Sequence, residues 1–188
     1  MKRKLFLFLV AFILSATVFP QKAHAAQKMA GSSAAFAQMA LLPQEKVADN
    51  RAEILKKYLE RHNSPLAEHA DVFIQEADKN NLDWKLVVSI AGVESYFGQM
   101  IPPYSYNGWG FGVYGTNVRR FNSWDDGIAT VSTALREDYM NKWGAKDVYQ
   151  IGSFYAADTR WANKVTHFMD ELDAFSAEYT NTTLPISL

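Results

Sequence analysis

The 188-residue sequence predicts a mostly α domain with one small β excursion. Three observations predict it. Apolar residues recur at helical spacing in six stretches between Ala52 and Phe175. Five of the ten glycines, with Pro102, Pro103 and many aromatics, crowd into the single interval from Gly98 to Gly115. The composition, 48% hydrophobic and 21% charged, is that of a chain able to bury a core.

The N-terminus is set aside before the fold. Lys2, Arg3 and Lys4 precede an apolar run from Leu5 to Val18, and Ala23-His24-Ala25 is a small-x-small cleavage site, so residues 1–25 read as a secretory signal peptide. Loss of its four basic residues, with no acid, moves the formal charge from -1 to about -5. Residues 26–50, rich in Ala, Gln, Ser and Met, are expected to be a flexible arm.

The domain is expected to span 51–178. Ile54, Leu55, Tyr58 and Leu59 lie on one side of a first helix over Ala52 to Arg61. Ser64-Pro65 starts a second, with Leu66, Ala70, Phe73, Ile74 and Ala77 as its apolar face, ending at Asn80-Asn81. Asp83 can cap a third, whose Trp84, Leu86, Val87, Val88, Ile90, Ala91 and Val93 leave almost no polar face, so it must be buried all round. It ends at Glu94-Ser95. In the glycine-rich interval, Gly110 to Tyr114 and Val118 to Phe121 pair through Gly115-Thr116-Asn117 as a short hairpin. Ser123 and Asp126 form a capping box for a helix through Ile128, Val131, Leu135 and Tyr139. Asp147 caps a shorter one over Val148 to Ala156, and Trp161, Val165, Phe168, Leu172 and Phe175 mark a long last one, with 179–188 as a tail.

Several functions are excluded or disfavoured. No cysteine is present, which removes disulfides, thiolate nucleophiles and Cys-ligated metals. Nineteen basic against 20 acidic residues, without a basic run in the mature part, argue against nucleic acid. His62, His69 and His167 are scattered without a metal-ligand spacing, and neither a nucleophile elbow nor a phosphate loop occurs, so no metal and no cofactor is expected.

Glu94 is the most informative position. A carboxylate at the end of an apolar helix loses hydration, which favours the neutral acid and raises its pKa. A glycosidase needs that property in the general acid that protonates a leaving sugar oxygen. On position alone, a glutamate that ends its helix in solvent or pairs with an arginine stands equally well. The nearby aromatics, Tyr96 and Phe97 through Tyr104, Tyr106, Trp109, Phe111 and Tyr114 to Phe121 and Trp124, shift the balance, because aromatic rings beside amides and hydroxyls suit sugars.

Four segments resemble the bacterial glucosaminidase family, glycoside hydrolase family 73, of the lysozyme-like superfamily and related to soluble lytic transglycosylases. Glu94-Ser95-Tyr96-Phe97-Gly98 is similar to its Glu-Ser-x-aromatic-Gly segment, and Asn107-Gly108-Trp109-Gly110-Phe111 to its Asn-x-Phe-Gly-Ile segment. Phe121 to Ile128 resembles its Phe-x-x-x-x-Asp-(Ser/Gly)-Ile helix start, and Tyr155-Ala156-Ala157-Asp158 with Trp161 to Val165 resembles its Tyr-Ala-Thr-Asp-Pro-x-Tyr-Ala-x-Lys-Val ending. They come in the family's order and cover roughly Ser64 to Leu172. Thr159 stands where the family has proline, and 99–106 is short and carries Pro102-Pro103.

The resemblance implies a lysozyme-like α domain with a β-hairpin lobe beside a cleft, and an exported enzyme that cuts peptidoglycan glycan strands. It implies Glu94 as proton donor and Tyr155 as a catalytically helpful hydroxyl facing the cleft. Ser95, Tyr104, Tyr106, Asn107, Trp109, Phe111, Tyr114 and Asp158 are the expected substrate-binding residues. Asp125, Asp126 and Asp158 are nominees for a second carboxylate, although a capping box explains Asp126 and a turn explains Asp158. A single acid suffices if the substrate's N-acetyl group attacks the anomeric carbon. Entry of water makes a hydrolase, attack by the muramyl 6-hydroxyl a lytic transglycosylase, and a non-catalytic glycan-binding module is the remaining alternative. After signal cleavage no membrane contact is expected, and a monomer is the default.

Overall fold

The computed structural model describes residues 49–113 and 117–183. The expected signal peptide and nearly all of the arm, as well as residues 114–116, lie outside the described residues.

Six α-helices build the described domain: α1 (Arg51–Arg61), α2 (Ala70–Lys79) entered through a 3-10 turn at Ala67–His69, α3 (Leu86–Ser95), α4 (Trp124–Ala134), α5 (Val148–Tyr155) and α6 (Trp161–Thr183). Several starts are set by nearby side chains. Ser64 Oγ accepts from Leu66 N at 3.0 Å while donating to the Phe97 carbonyl at 2.8 Å, so one hydroxyl opens the second helical segment and pins the loop after α3. Asp83 accepts from Lys85 N, Ser123 from Asp126 N and Asp147 from Gln150 N. These side chains satisfy amides that a helix start leaves without partners.

α3 is the axis. Leu86, Val87, Val88, Ser89, Ile90, Ala91 and Gly92 are all buried, because α6, α2 and α4 pack around it. Gly92 is required there: a Cβ would lie 2.8 Å from the Phe97 ring and 3.0 Å from that of Phe168. The helix stops abruptly. Tyr96 and Phe97 both take left-handed backbone, φ 50° and 56°, an unusual conformation for bulky side chains. Their amides close the helix end, Tyr96 N to Gly92 O at 3.1 Å and Phe97 N to Ala91 O at 2.9 Å. The reversal buries the Phe97 ring and leaves the Tyr96 ring on the surface.

Two expectations change. Residues 110–113 and 118–121 form no strand ladder, and Asn117 alone sits in a bridge among the described residues. Left-handed backbone at Gly110 and Gly112 interrupts the alternation a ladder needs. The Asn107 carboxamide holds the loop instead, donating to Phe111 O at 2.9 Å and Arg119 O at 3.0 Å and accepting from Phe111 N at 3.1 Å. At the C-terminal end α6 runs on to Thr183, past the boundary expected at 178. Tyr179 stacks on Phe175 and donates its hydroxyl to Glu53 at 2.7 Å, tying that last stretch to α1. α4 also continues, as a π-helix over Leu135–Lys142.

Candidate active site

Glu94 sits in the last turn of α3, with its carboxylate between α6 and the loop that Asn107 organises. The Trp161 indole N–H donates to Glu94 Oε1 at 2.7 Å. On the other oxygen's side lies the Gly110 backbone: a Cβ added there would meet Oε2 at 3.0 Å. Gly110 has φ +59°, so the approach needs glycine for space and for backbone alike. Glu94 opens on a recess of about 310 Å³ shared with Met100, Pro102, Asn107, Gly110, Val113 and Val118.

The residue as a whole reaches solvent, but its carboxyl end is walled on two sides. Loss of hydration raises its pKa above the ordinary glutamate value, while the Trp161 hydrogen bond and the positive charge of Lys164 pull it back. Burial is the largest of the three influences, so the proton is held more firmly than in water.

Trp161 is itself held. Its ring stacks on Tyr155 with centroids 4.8 Å apart and planes 22° from parallel. The Tyr155 hydroxyl donates to the Trp109 carbonyl at 2.7 Å. Burial, reinforced by the nearby Glu94 carboxylate, pushes that hydroxyl well above its usual pKa, so it remains a donor. Trp109 immediately precedes Gly110, and the contacts therefore run in a circuit from Glu94 through Trp161, Tyr155 and Trp109 to the Gly110 backbone beside Glu94.

The remaining sequence-derived residues fall into three groups. Ser95, Asn107 and Trp109 are buried and hold the loop. Ser95 Oγ donates to Gly108 O at 2.7 Å and accepts from Gly98 N at 2.8 Å, and the Trp109 indole donates to Val87 O at 3.0 Å. Phe111 is half-buried with the Arg119 guanidinium 5.1 Å from its ring centre. Tyr104 and Tyr106 are exposed, Tyr106 standing edge-on to Trp124. Tyr114 lies outside the described residues.

The three aspartates have other partners. Asp125 meets His69 Nδ1 at 2.6 Å. Asp126 accepts from the backbone and side chain of Asn122, both at 2.9 Å. Asp158 is held well below the usual carboxylate range by Lys164 and by the backbone and side chain of Arg160. The recess that Glu94 lines has no second carboxylate among the described residues. Those residues also contain no group of three or more His, Asp or Glu able to hold a metal ion, and no helix long and apolar enough to cross a membrane.

Sequence reading missed Trp161 and Gly110 as partners of the acid. Trp161 has the spacing of a core residue and is indeed buried, so its apolar period masked the one N–H that reaches Glu94. A usable signal existed, since Trp161 takes the aromatic position in the Tyr-Ala-x-Lys-Val segment.

No protein-family model matches the sequence, and no curated protein matches it. Among solved structures the chain is similar to S. aureus autolysin E in complex with the muropeptide NAM-L-Ala-D-iGlu, at 20% identity over 67% of this chain and 68% of that one, TM-score 0.55. It is also similar to a catalytic mutant of that autolysin, glutamate replaced by alanine, in complex with the disaccharide NAG-NAM, at 18% identity over 67% and 68%, TM-score 0.54. The class is therefore that of a mostly α fold shared with an autolysin.

Proposed function

We propose that the chain is an exported peptidoglycan hydrolase that cleaves β-1,4 glycosidic bonds of the wall glycan as an endo-β-N-acetylglucosaminidase does, with Glu94 as general acid. The observation that carries the reading is the carboxyl group of Glu94 beside a recess, one oxygen bonded to an indole N–H and the other facing backbone that has no side chain. An indole N–H can only donate. Oε1 thus serves as acceptor, and the acidic proton belongs on Oε2, toward the recess. The autolysin with the same fold is a glutamate-dependent enzyme by the replacement in its catalytic mutant, and it binds a wall disaccharide.

In this reading Oε2 gives its proton to the glycosidic oxygen as the bond to the anomeric carbon breaks. The acetamido oxygen of the same sugar attacks that carbon, forming an oxazolinium-like intermediate, a route that needs no second carboxylate. Water then opens the ring, giving its proton back to Glu94 and its hydroxyl to the anomeric carbon. Trp161, Tyr155 and Gly110 keep the acid in place.

The test is digestion of purified peptidoglycan by the full mature chain. Clearing of a suspension with reducing N-acetylglucosamine ends by mass spectrometry, and loss of clearing in Glu94→Gln, are the expected results. Reducing MurNAc ends would reassign the bond, and anhydro-MurNAc ends would make the enzyme a lytic transglycosylase. Binding without release of soluble sugar would make the chain a binding module.

A further inference from the structure

Beyond Ala134 the chain widens into the π-helix Leu135–Lys142, closed by a hydrogen bond from Trp143 N to the Asp138 carbonyl at 2.9 Å. A π turn takes in one residue more than an α turn and is rare, so a run of 8 residues needs an outside hold. Both ends have one. At the start Leu135 is buried, and the Arg136 guanidinium donates to the carbonyls of Asn80, at 2.7 Å, and Asn81, just past the end of α2. At the far end Gly144 takes left-handed backbone, φ 78°, and the buried Ala145 donates its amide to the Tyr139 carbonyl at 2.9 Å.

Held at both ends, the segment turns two rings toward α5. Trp143 meets Phe154 with centroids 5.4 Å apart. Tyr139 stands edge-on to Trp143 at 4.8 Å and meets Tyr155 at 5.7 Å, planes 35° apart. The contact with Tyr155 matters because that residue is the last of α5. Ala156 after it is extended, φ -139° and ψ 148°, so no further helical turn walls the ring. Neighbouring rings define its plane instead, Trp161 from α6 and Tyr139 from the π-helix. Through Tyr155 the π-helix thus reaches the circuit around Glu94. A side chain that only filled space at 139 would not need to be aromatic: Tyr139 is half-buried, and a leucine or methionine would cover the same apolar surface. A flat ring adds direction, since aromatic pairs have preferred geometries and each ring restricts the tilt of the one it touches.

We infer that Tyr139 is a positioning residue for the acid: carried to Tyr155 by the π-helix, its ring sets the tilt of Tyr155, and Tyr155 sets the aim of the Trp161 N–H at Glu94 Oε1. The inference deepens the glycosidase reading above and rests on it only where turnover is the readout. Without the ring, Tyr155 and Trp161 settle over a wider range of tilts. The 2.7 Å hydrogen bond to Oε1 is then made for less of the time, and the ionised Glu94 loses part of its support.

The test is titration of the Glu94 carboxyl carbon by NMR in the full mature chain and in Tyr139→Leu. Weakening of the indole bond should raise the midpoint by about half a pH unit, about threefold in proton affinity. Tyr139→Phe, which keeps the ring, should return the midpoint to that of the wild type. In a Trp161→Phe background Tyr139→Leu should add no shift, because the N–H through which it acts is gone. Lys164, whose charge acts on Glu94 from α6, stays in every variant, and no other titratable side chain lines the Glu94 recess among the described residues. On peptidoglycan, Tyr139→Leu should lower kcat about threefold or more with KM changed by less than about twofold. A midpoint unmoved by Tyr139→Leu, or moved as far without the Trp161 N–H, overturns the inference even if the enzyme cuts glycan. So does a Tyr139→Phe variant no closer to wild type than Tyr139→Leu. The shift without any cleavage by the wild type would refute the hydrolase reading and leave the positioning role standing. Thermal melting checks the fold, and Tyr139→Met repeats the measurement if the leucine variant does not fold.

Discussion

Replacement of Trp161 by phenylalanine tests the acid most directly. Phenylalanine keeps an aromatic ring beside Tyr155, now 4.8 Å away, and removes the N–H that reaches Oε1 at 2.7 Å. Hydrogen bonds to charged groups are worth about 1.5–3 kcal/mol. One side of Glu94 is in solvent, so water replaces part of the loss and the low end applies, about 1.5 kcal/mol or roughly one pH unit. The direction follows from chemistry. The indole stabilises the ionised carboxylate more than the neutral acid, so its loss raises the Glu94 pKa further. Where rate depends on a protonated Glu94, the alkaline limb of kcat/KM against pH moves up by about one unit. The plateau falls, because Oε1 has lost its anchor and the proton is no longer confined to Oε2. The assay is initial clearing rate of peptidoglycan from pH 4 to pH 9, with thermal melting as a control for packing. An alkaline limb that stays in place, or moves to lower pH, refutes the claim that Trp161 acts on the charge of Glu94.

The other substitutions probe the same circuit. Glu94→Gln removes a carboxylate whose folded pKa is raised, and such a group costs stability once pH climbs above its unfolded value, about 4.3. The inactive variant should thus melt no lower than wild type near pH 4 and slightly higher near pH 7, by under about 1 kcal/mol because the group is half solvated; a variant less stable at pH 7 would contradict the burial argument. Gly110→Ala imposes a left-handed alanine, costing about 1 kcal/mol, and sets a methyl 3.0 Å from Oε2. Turnover should drop by far more than that stability loss implies, measured as kcat beside melting temperature. Tyr155→Phe leaves the Trp109 carbonyl without its donor; melting should show a loss of about 1 kcal/mol and kcat should fall with KM little changed. An unaltered kcat would make Tyr155 a packing residue only.

The helical part of this fold was legible because its determinants are local. Ser123 and Asp147 cap their helices through side chains three residues from the amides they satisfy, and α3 announces its central place by having no polar face. The glycine-rich interval was legible as loop but not as architecture. Its shape depends on the Asn107 carboxamide choosing carbonyls four and twelve residues away, and on aromatic residues adopting left-handed backbone that propensity assigns to glycine or asparagine. Alternation of residue types predicts a ladder only when every residue can take extended backbone. Here Gly110 and Gly112 do not.

The site divides along the same line. Glu94 could be found because burial of an acid at a helix end is visible in the order of residues. The groups that govern the acid were not found, although Trp161 holds an aromatic motif position, because each acts through something the alphabet does not record: a backbone with no Cβ at Gly110, a carbonyl at Trp109, and one N–H of a Trp161 ring that is otherwise core. They come together only by tertiary packing, Trp161 from 67 residues beyond Glu94 and Tyr155 bonded to a carbonyl 46 residues before it. Since α3 and α6 pack directly on each other, any change that shifts α6 along α3 alters the Trp161 hydrogen bond before it exposes the core. Activity should consequently be lost at lower temperature than helical structure in packing variants along the α3–α6 contact such as Gly92→Ala, and coincident loss of both would show that the acid's geometry is no softer than the fold that carries it.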